Sequence, residues 1–246
     1  MFNRSHHQVI DAILQGMNRN LLEDCACLFG GGTCITLQLN EYRESKDVDF
    51  LCSDSTGYRN LREEIYRNGL KRFFSSPVQI MREPIVNQYG VRTVLAVKDY
   101  KIRFEIVSEG RIRLDEGEKT CLPVYCVSRS DLYAEKLLAN ADRGLDRHSA
   151  NRDIIDLVMM IRYWGEIPES AIKKAKSAYG DTIHESLERS MQYLQDPNPG
   201  LGWRDWLEKC ALDMQISEDA TKWLFQTFRG VDGPDILAQS FSPRRP

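Results

Sequence analysis

Asp47 and Asp49, two carboxylates two residues apart in the stretch DVDFLC, are the side chains of this sequence best suited to chemistry. On a strand, residues i and i+2 point to the same face. Carboxylates held that close repel one another unless a cation lies between them, and hard oxygen donors suit Mg²⁺ or Mn²⁺. Val48, Phe50 and Leu51 are apolar, as a strand with one buried face requires. In isolation the pair reads equally as the solvated edge of a strand. Upstream, Phe29-Gly30-Gly31-Gly32-Thr33 sets three glycines between an apolar run and a short helix. Backbone N–H groups at such a turn can approach phosphate oxygens closely, and a helix N-terminus favours negative charge. Thr33 could cap that helix or bond a phosphate. Three glycines alone would serve any tight turn.

Periodicity predicts the elements that carry these residues. Val9, Ile10, Ile13, Leu14 and Met17 recur at helical spacing, predicting one amphipathic helix over 5–24. A buried strand over 25–29, a short helix over 33–41, a strand over 47–52 and a helix over 56–71 follow. Residues 77–84, 91–98 and 101–108 are rich in Val, Ile and Phe, and the last two segments flank a turn as in a hairpin. A further short strand is expected over 121–127. After Ser128 the pattern is helical. Ser130 is the expected cap of a helix reaching Asp142, a second helix covers 149–164, and Pro168, Asp181, Gly202 and Ser217 start four more. The expected fold class is α+β, with a mixed-sheet core in residues 1–128 followed by a C-terminal helical bundle in 129–246.

Composition narrows the classes. Of 246 residues, 42% are apolar and 28% charged, which suits an ordinary globular protein with a real core. A net charge of −3 and a pI near 5.9 argue against a protein that coats nucleic acid along its whole length. No stretch approaches the roughly 20 apolar residues that span a bilayer. The start, MFNRSHHQVIDAIL, lacks the apolar region of a secretory signal, so no membrane association and a cytoplasmic location are expected. Seven cysteines without a C-x-x-C pair read as reduced packing residues. His6 and His7 could bind a metal but read rather as the solvated first turn of a helix.

The combination of motifs is more specific than its parts. A G-G-T turn, thirteen residues, then D-V-D in a strand resembles the polymerase-β-type nucleotidyltransferase superfamily. Gly31-Gly32-Thr33 followed by Arg43-x-Ser45-x-Asp47-x-Asp49 closely resembles the AbiEii/AbiGii toxin family of nucleotidyltransferases. A second block over 135–157 is similar to that family's K-L-x-A-x-x-x-R and R/K-D-x-x-D-L segments, through Lys136, Leu137, Ala139, Arg143, Arg152, Asp153, Asp156 and Leu157. The resemblance spans roughly residues 25–160. There are two departures. Gly30 stands where relatives often carry Lys, and the later-strand carboxylate is a Glu.

The resemblance implies Mg²⁺- or Mn²⁺-dependent transfer of a nucleoside monophosphate from an NTP to an acceptor. Asp47 and Asp49 would hold the cations that bridge the phosphates, and a third carboxylate would ease deprotonation of the acceptor hydroxyl. Glu105 in KIRFEIVSE is the candidate, because its parity sets it opposite Phe104 and Ile106; Glu109 is the fallback, and a merely exposed strand Glu is the alternative. Gly31, Gly32, Thr33, Arg43 and Ser45 would contact the nucleotide, although Arg43 and Ser45 could instead only fix their loop. Lys136 would meet the triphosphate as a point charge or snorkel to solvent. Asp153 and Asp156 share a helix face. They would orient Lys136 or Arg43, touch the nucleotide, or form a structural ion pair with Arg152 or Arg143.

Between Arg59 and Arg103 stand ten Lys/Arg against four Asp/Glu, interleaved with Tyr58, Tyr66, Phe73, Phe74, Tyr89 and Tyr100. That pattern suits an RNA path, with phosphates on cations and bases on aromatics, or else a solvated face. The family implies the toxin of a bacterial toxin–antitoxin or phage-defence pair, with tRNA or another RNA as acceptor and a separately encoded antitoxin. Two rivals remain at this point: a nucleotidyltransferase acting on a small hydroxylated molecule such as an antibiotic, and a nucleotide-binding regulator without turnover.

Overall fold

Strict alternation builds the sheet. In β2 (Asp47–Cys52), Val48 and Phe50 are fully buried while Asp47 and Asp49 are half-buried. In β6 (Tyr100–Ser108), Ile102, Phe104 and Ile106 are buried while Lys101 and Arg103 are exposed. In β5 (Gly90–Val97), Val91, Thr93 and Leu95 are buried and Arg92 is exposed. A period of two thus separates a buried face from a more exposed one, whose charges stand at Asp47, Asp49, Arg92, Lys101, Arg103 and Glu105. The structure, a computed structural model, describes residues 2–76, 78–144, 152–195 and 203–229.

Six strands form one mixed sheet in the order β1-β2-β6-β5-β3, with β4 also on β5. The remaining strands are β1 (Leu28–Gly30), β3 (Gln79–Ile80) and β4 (Ile85–Asn87). Among the named strands of the described residues, only the β2–β6 pair is parallel. The apolar face packs under α1 (Ser5–Gln15), α4 (Ser55–Asn68) and a 3₁₀ turn (Leu70–Phe73). Phe29, Phe50, Phe104 and Phe74 run through this layer with successive ring centroids 5.5, 6.0 and 5.6 Å apart.

Three local expectations need correction. The single helix over 5–24 is two helices, α1 and α2 (Arg19–Asp24). Gly16 ends the first, and the Asn18 side chain caps the second by accepting from the Leu21 N–H at 3.3 Å. Over 121–127 there is no strand among the described residues, only bridges from Cys126 to Phe29 and Glu118. The helix α5 (Arg129–Arg143) is capped by Ser128, not Ser130, since the Ser128 hydroxyl accepts from the Asp131 N–H.

The chain divides into two compact units, residues 1–41 with 45–132 and residues 42–44 with 133–246. The described helices of the second unit are the greater part of α5, α6 (Arg152–Trp164), α7 (Glu169–Tyr179), α8 (Thr182–Gln195), α9 (Trp203–Asp213) and α10 (Glu218–Arg229). α6 is its centre, with every residue from Asp153 to Met160 buried. A helix covered all round cannot leave charges unpaired, so Asp153 and Asp156 need partners inside the unit. The segment SFSPRRP lies outside the described residues.

Candidate active site

In the first unit, β2 and β6 set the carboxylates in register. Asp49 stands opposite Glu105 and Asp47 opposite Arg103, all on the charged face of the sheet. Gly31 opens α3 (Gly31–Gln38) at a left-handed φ of 69°, and a Cβ there would lie 2.8 Å from Asp49 Oδ2. Only glycine allows the helix N-terminus to sit this close to the carboxylate. No side chain caps α3. At Gly30 a Cβ would fall 2.2 Å from Leu51 Cδ1, so a larger residue there would require the Leu51 side chain to shift.

Asp47 already has a cation. Arg103 donates from Nε and Nη2 to its two oxygens at 2.8 and 2.7 Å, and the carboxylate raises the guanidinium pKa further. Arg92 lies 3.6 Å from Glu105. The donor chemistry of Asp47, Asp49 and Glu105 fits a hard divalent cation. Even so, among the described residues no three His, Cys, Asp or Glu side chains are gathered closely enough to hold a metal ion. Glu109, the fallback, is buried against Arg111, whose guanidinium and N–H, with the Ile112 N–H, hold its carboxyl below the usual range despite burial.

The residues just before β2 are fixed by a relay that the sequence reading missed. His7 is not a solvated first-turn residue but 0% exposed. Its Nδ1 donates to Glu41 at 2.8 Å, and its Nε2 accepts from the Ser45 N–H at 3.0 Å. Burial pushes the Glu41 carboxyl up, but the Asn3 and Arg4 N–H groups and His7 outweigh it and hold the carboxyl low. The Thr33 hydroxyl is buried, donates to the Asp47 carbonyl at 2.6 Å and lies 2.7 Å from the Ser45 hydroxyl. Thr33 is thus tied to the backbone of β2 at Asp47, and Ser45 reaches it only through the Thr33 hydroxyl. Helical spacing offered one sign of this, since His7, Ile10 and Leu14 share a face.

The second unit holds the other expected site residues, and in it they pair with one another. Asp156 accepts from Arg43 Nε and Nη2 at 2.8 and 3.0 Å, from Lys136 Nζ at 2.6 Å and from the Tyr42 hydroxyl. Asp153 accepts from Lys136 at 2.9 Å and from Arg143 at 2.8 and 3.1 Å. Burial would raise both carboxyls, but the facing cations hold them below their ordinary range. Burial would likewise lower Lys136, and the two aspartates raise it instead. Lys136 therefore does not snorkel.

The basic region over 59–103 does not form a single face. Arg67, Lys71 and Arg72 lie on α4 and the 3₁₀ turn, over the apolar face of the sheet, with Arg67 and Arg72 paired to Glu63 and Glu64. Arg92, Lys101 and Arg103 lie on the charged face with the carboxylates. Among the described residues no helix is long and apolar enough to cross a membrane.

A family model described as nucleotidyl transferase AbiEii toxin, type IV toxin–antitoxin system, matches residues 12–228. Among solved structures, the chain is similar to JHP933 from Helicobacter pylori, at 16% identity over 79% of this chain and 98% of that one, with a TM-score of 0.35. It is also similar to MenT4, a nucleotidyltransferase toxin from Mycobacterium tuberculosis H37Rv, at 15% identity over 88% and 90% of the two chains, with a TM-score of 0.33. No curated relative matches.

Proposed function

Because the chain belongs to the AbiEii family of nucleotidyl transferase toxins of type IV toxin–antitoxin systems, we propose that it moves a nucleoside monophosphate from a Mg²⁺-bound NTP onto RNA, with tRNA the first candidate. The nucleotidyltransferase activity, the NTP substrate and an antitoxin partner come with the family. The magnesium, the RNA acceptor, a cytoplasmic setting and a role in phage defence belong to the proposal, as does a functional division at 128/129 into a catalytic core and a helical domain.

One observation carries the reading: Asp47, Asp49 and Glu105 share a sheet face in adjacent register, beside the uncapped start of α3. In the proposal Asp47 and Asp49 are the metal ligands, and Glu105 completes the set and draws the proton from the acceptor hydroxyl. The bound cation supplies positive charge to the phosphates. The first N–H groups of α3, opened by Gly31 and Gly32, offer donors to phosphate oxygens. Thr33 acts through its hydrogen bond to the Asp47 carbonyl, with Ser45 supporting the Thr33 hydroxyl. Arg43, Lys136 and Asp153, which are paired inside the second unit, enter as supports rather than as nucleotide contacts. Arg92 and Lys101, cations on the carboxylate face, are the acceptor-binding candidates in place of Arg67, Lys71 and Arg72.

The test is to incubate the protein with each α-labelled NTP, Mg²⁺ and total cellular RNA. Labelled RNA is expected, with acceptor use falling steeply as salt rises. An R92E/K101E variant should lose RNA labelling, whereas an R67E/K71E/R72E variant should keep most of it. Label appearing only in protein or small molecules refutes the RNA acceptor. The opposite ranking of the two variants refutes the assigned face.

A further inference from the structure

The carboxylate face holds an internal cation placed where an external one is needed. Arg103 stands directly opposite Asp47 across the parallel β2–β6 pair, and its fork engages both carboxylate oxygens at 2.8 and 2.7 Å. A bidentate pair of this kind occupies the in-plane lone pairs that a metal would use. A guanidinium stays protonated at any physiological pH, so protonation chemistry cannot end the contact. Displacement can, because the Arg103 side chain is 64% exposed and would move directly into water. Arg92 stands in a looser version of the same relation to Glu105.

We infer that Arg103 is a positioning residue acting through Asp47: a displaceable counter-ion that competes with the divalent cation for that carboxylate. The inference rests on the proposed reading of Asp47 as a metal ligand. It accounts for why three carboxylates with suitable chemistry are not gathered into a closed donor set. The two arginines offset the repulsion among Asp47, Asp49 and Glu105 while no metal is bound. An exposed ion pair is worth little, so a divalent ion held by Asp47 and Asp49 would be the stronger competitor. Arg103 thus weakens metal binding by a modest factor and leaves the face nearly neutral between turnovers.

The experiment titrates Mn²⁺ alone into the full-length protein and reads free Mn²⁺ by electron paramagnetic resonance, with no nucleotide present. Arg103→Gln should bind Mn²⁺ tighter by about three- to tenfold. Arg103→Lys should fall between it and wild type, since an ammonium keeps the charge but not the fork. The difference should narrow as salt rises. Asp47→Asn should bind far more weakly than any of these. If Asp47→Asn weakens binding but Arg103→Gln matches wild type within about twofold, or binds more weakly, the inference fails by itself. If Asp47→Asn binds like wild type, the metal reading of Asp47 fails with it. Should Arg103→Gln melt far below wild type, the Arg103→Lys titration decides on the same criterion.

Discussion

Replacing Asp156 with Asn would test whether the buried charge cluster holds the second unit together. Asp156 is 0% exposed and accepts from Arg43, Lys136 and Tyr42. Three cations (Arg43, Lys136, Arg143) face two carboxylates (Asp153, Asp156), a formal charge of +1 that the substitution raises to +2. Removing one partner of a buried pair costs about 3–5 kcal/mol, because the other charge stays buried without compensation. At about 2–4 °C per kcal/mol for a chain of this size, the melting temperature should fall by roughly 6–20 °C. Thermal and urea unfolding measure this, and the urea midpoint should move without a change in slope. The pH dependence gives a second check. Asp156 is held below its ordinary value of 3.8, against the effect of burial, chiefly by Arg43 and then Lys136. A depressed carboxyl contributes stability that is present above the unfolded pKa and lost as pH falls through the folded one. The gap between wild type and Asp156→Asn should therefore be full at neutral pH and close as pH drops below about 4. An apolar pair, R43M/D156L, should recover much of the loss. A loss under about 1 kcal/mol, or a gap that persists in acid, would refute the reasoning.

Asp47→Ala and Asp49→Ala should each reduce nucleotide transfer by about a thousandfold or more with melts close to wild type; activity within about tenfold would remove that residue from the site. Gly31→Ala, strained by its positive φ and crowding Asp49, should cost about 1–2 kcal/mol and slow transfer, and a variant unchanged in both melt and rate would contradict the geometry. His7→Ala leaves Glu41 and the Ser45 N–H short of a buried partner and should lose about 2–4 kcal/mol in urea unfolding, a loss that a neutral mutant would disprove. NTP with Mg²⁺ at a hundred times its Kd should stabilise the protein by about 2.7 kcal/mol, reversibly with EDTA; no shift with any of the four NTPs would count against turnover.

What could be read in the sequence was whatever alternation or local chemistry decides. The bounds of the strand Asp47–Cys52 match the expectation, because acidic and apolar positions alternate from Asp47 to Phe50 and the run stays apolar to Cys52. The hairpin of β5 and β6 and the face of Glu105 followed from the same rule. What could not be read depends on partners far along the chain. Arg103 meets Asp47 only through a parallel register between strands more than fifty residues apart, and nothing local encodes that. His7 lies in a polar stretch, RSHHQ, and its burial depends on Glu41 and Ser45. Counting charges over 59–103 does not tell which side of the sheet each cation lies on, because that is set by the elements that carry them.

The allegiance of residues 42–44 bears on how such a chain can be recombined. The second unit takes Tyr42, Arg43 and Glu44 from the middle of the first, so the chain passes between units three times, at 41/42, 44/45 and 132/133. Tyr42 and Arg43 bond Asp156, the Glu44 N–H donates to the Met214 carbonyl, and the Ser217 N–H donates to the Tyr42 carbonyl. A chimera that exchanges everything after residue 132 between relatives would inherit its helices from one parent and their three-residue insert from the other. Unless both parents carry the matching Tyr-Arg and Asp, the hybrid would bury a charge without its partner. Helical halves should therefore be exchangeable as two-piece cassettes, with the insert travelling alongside the helices it serves.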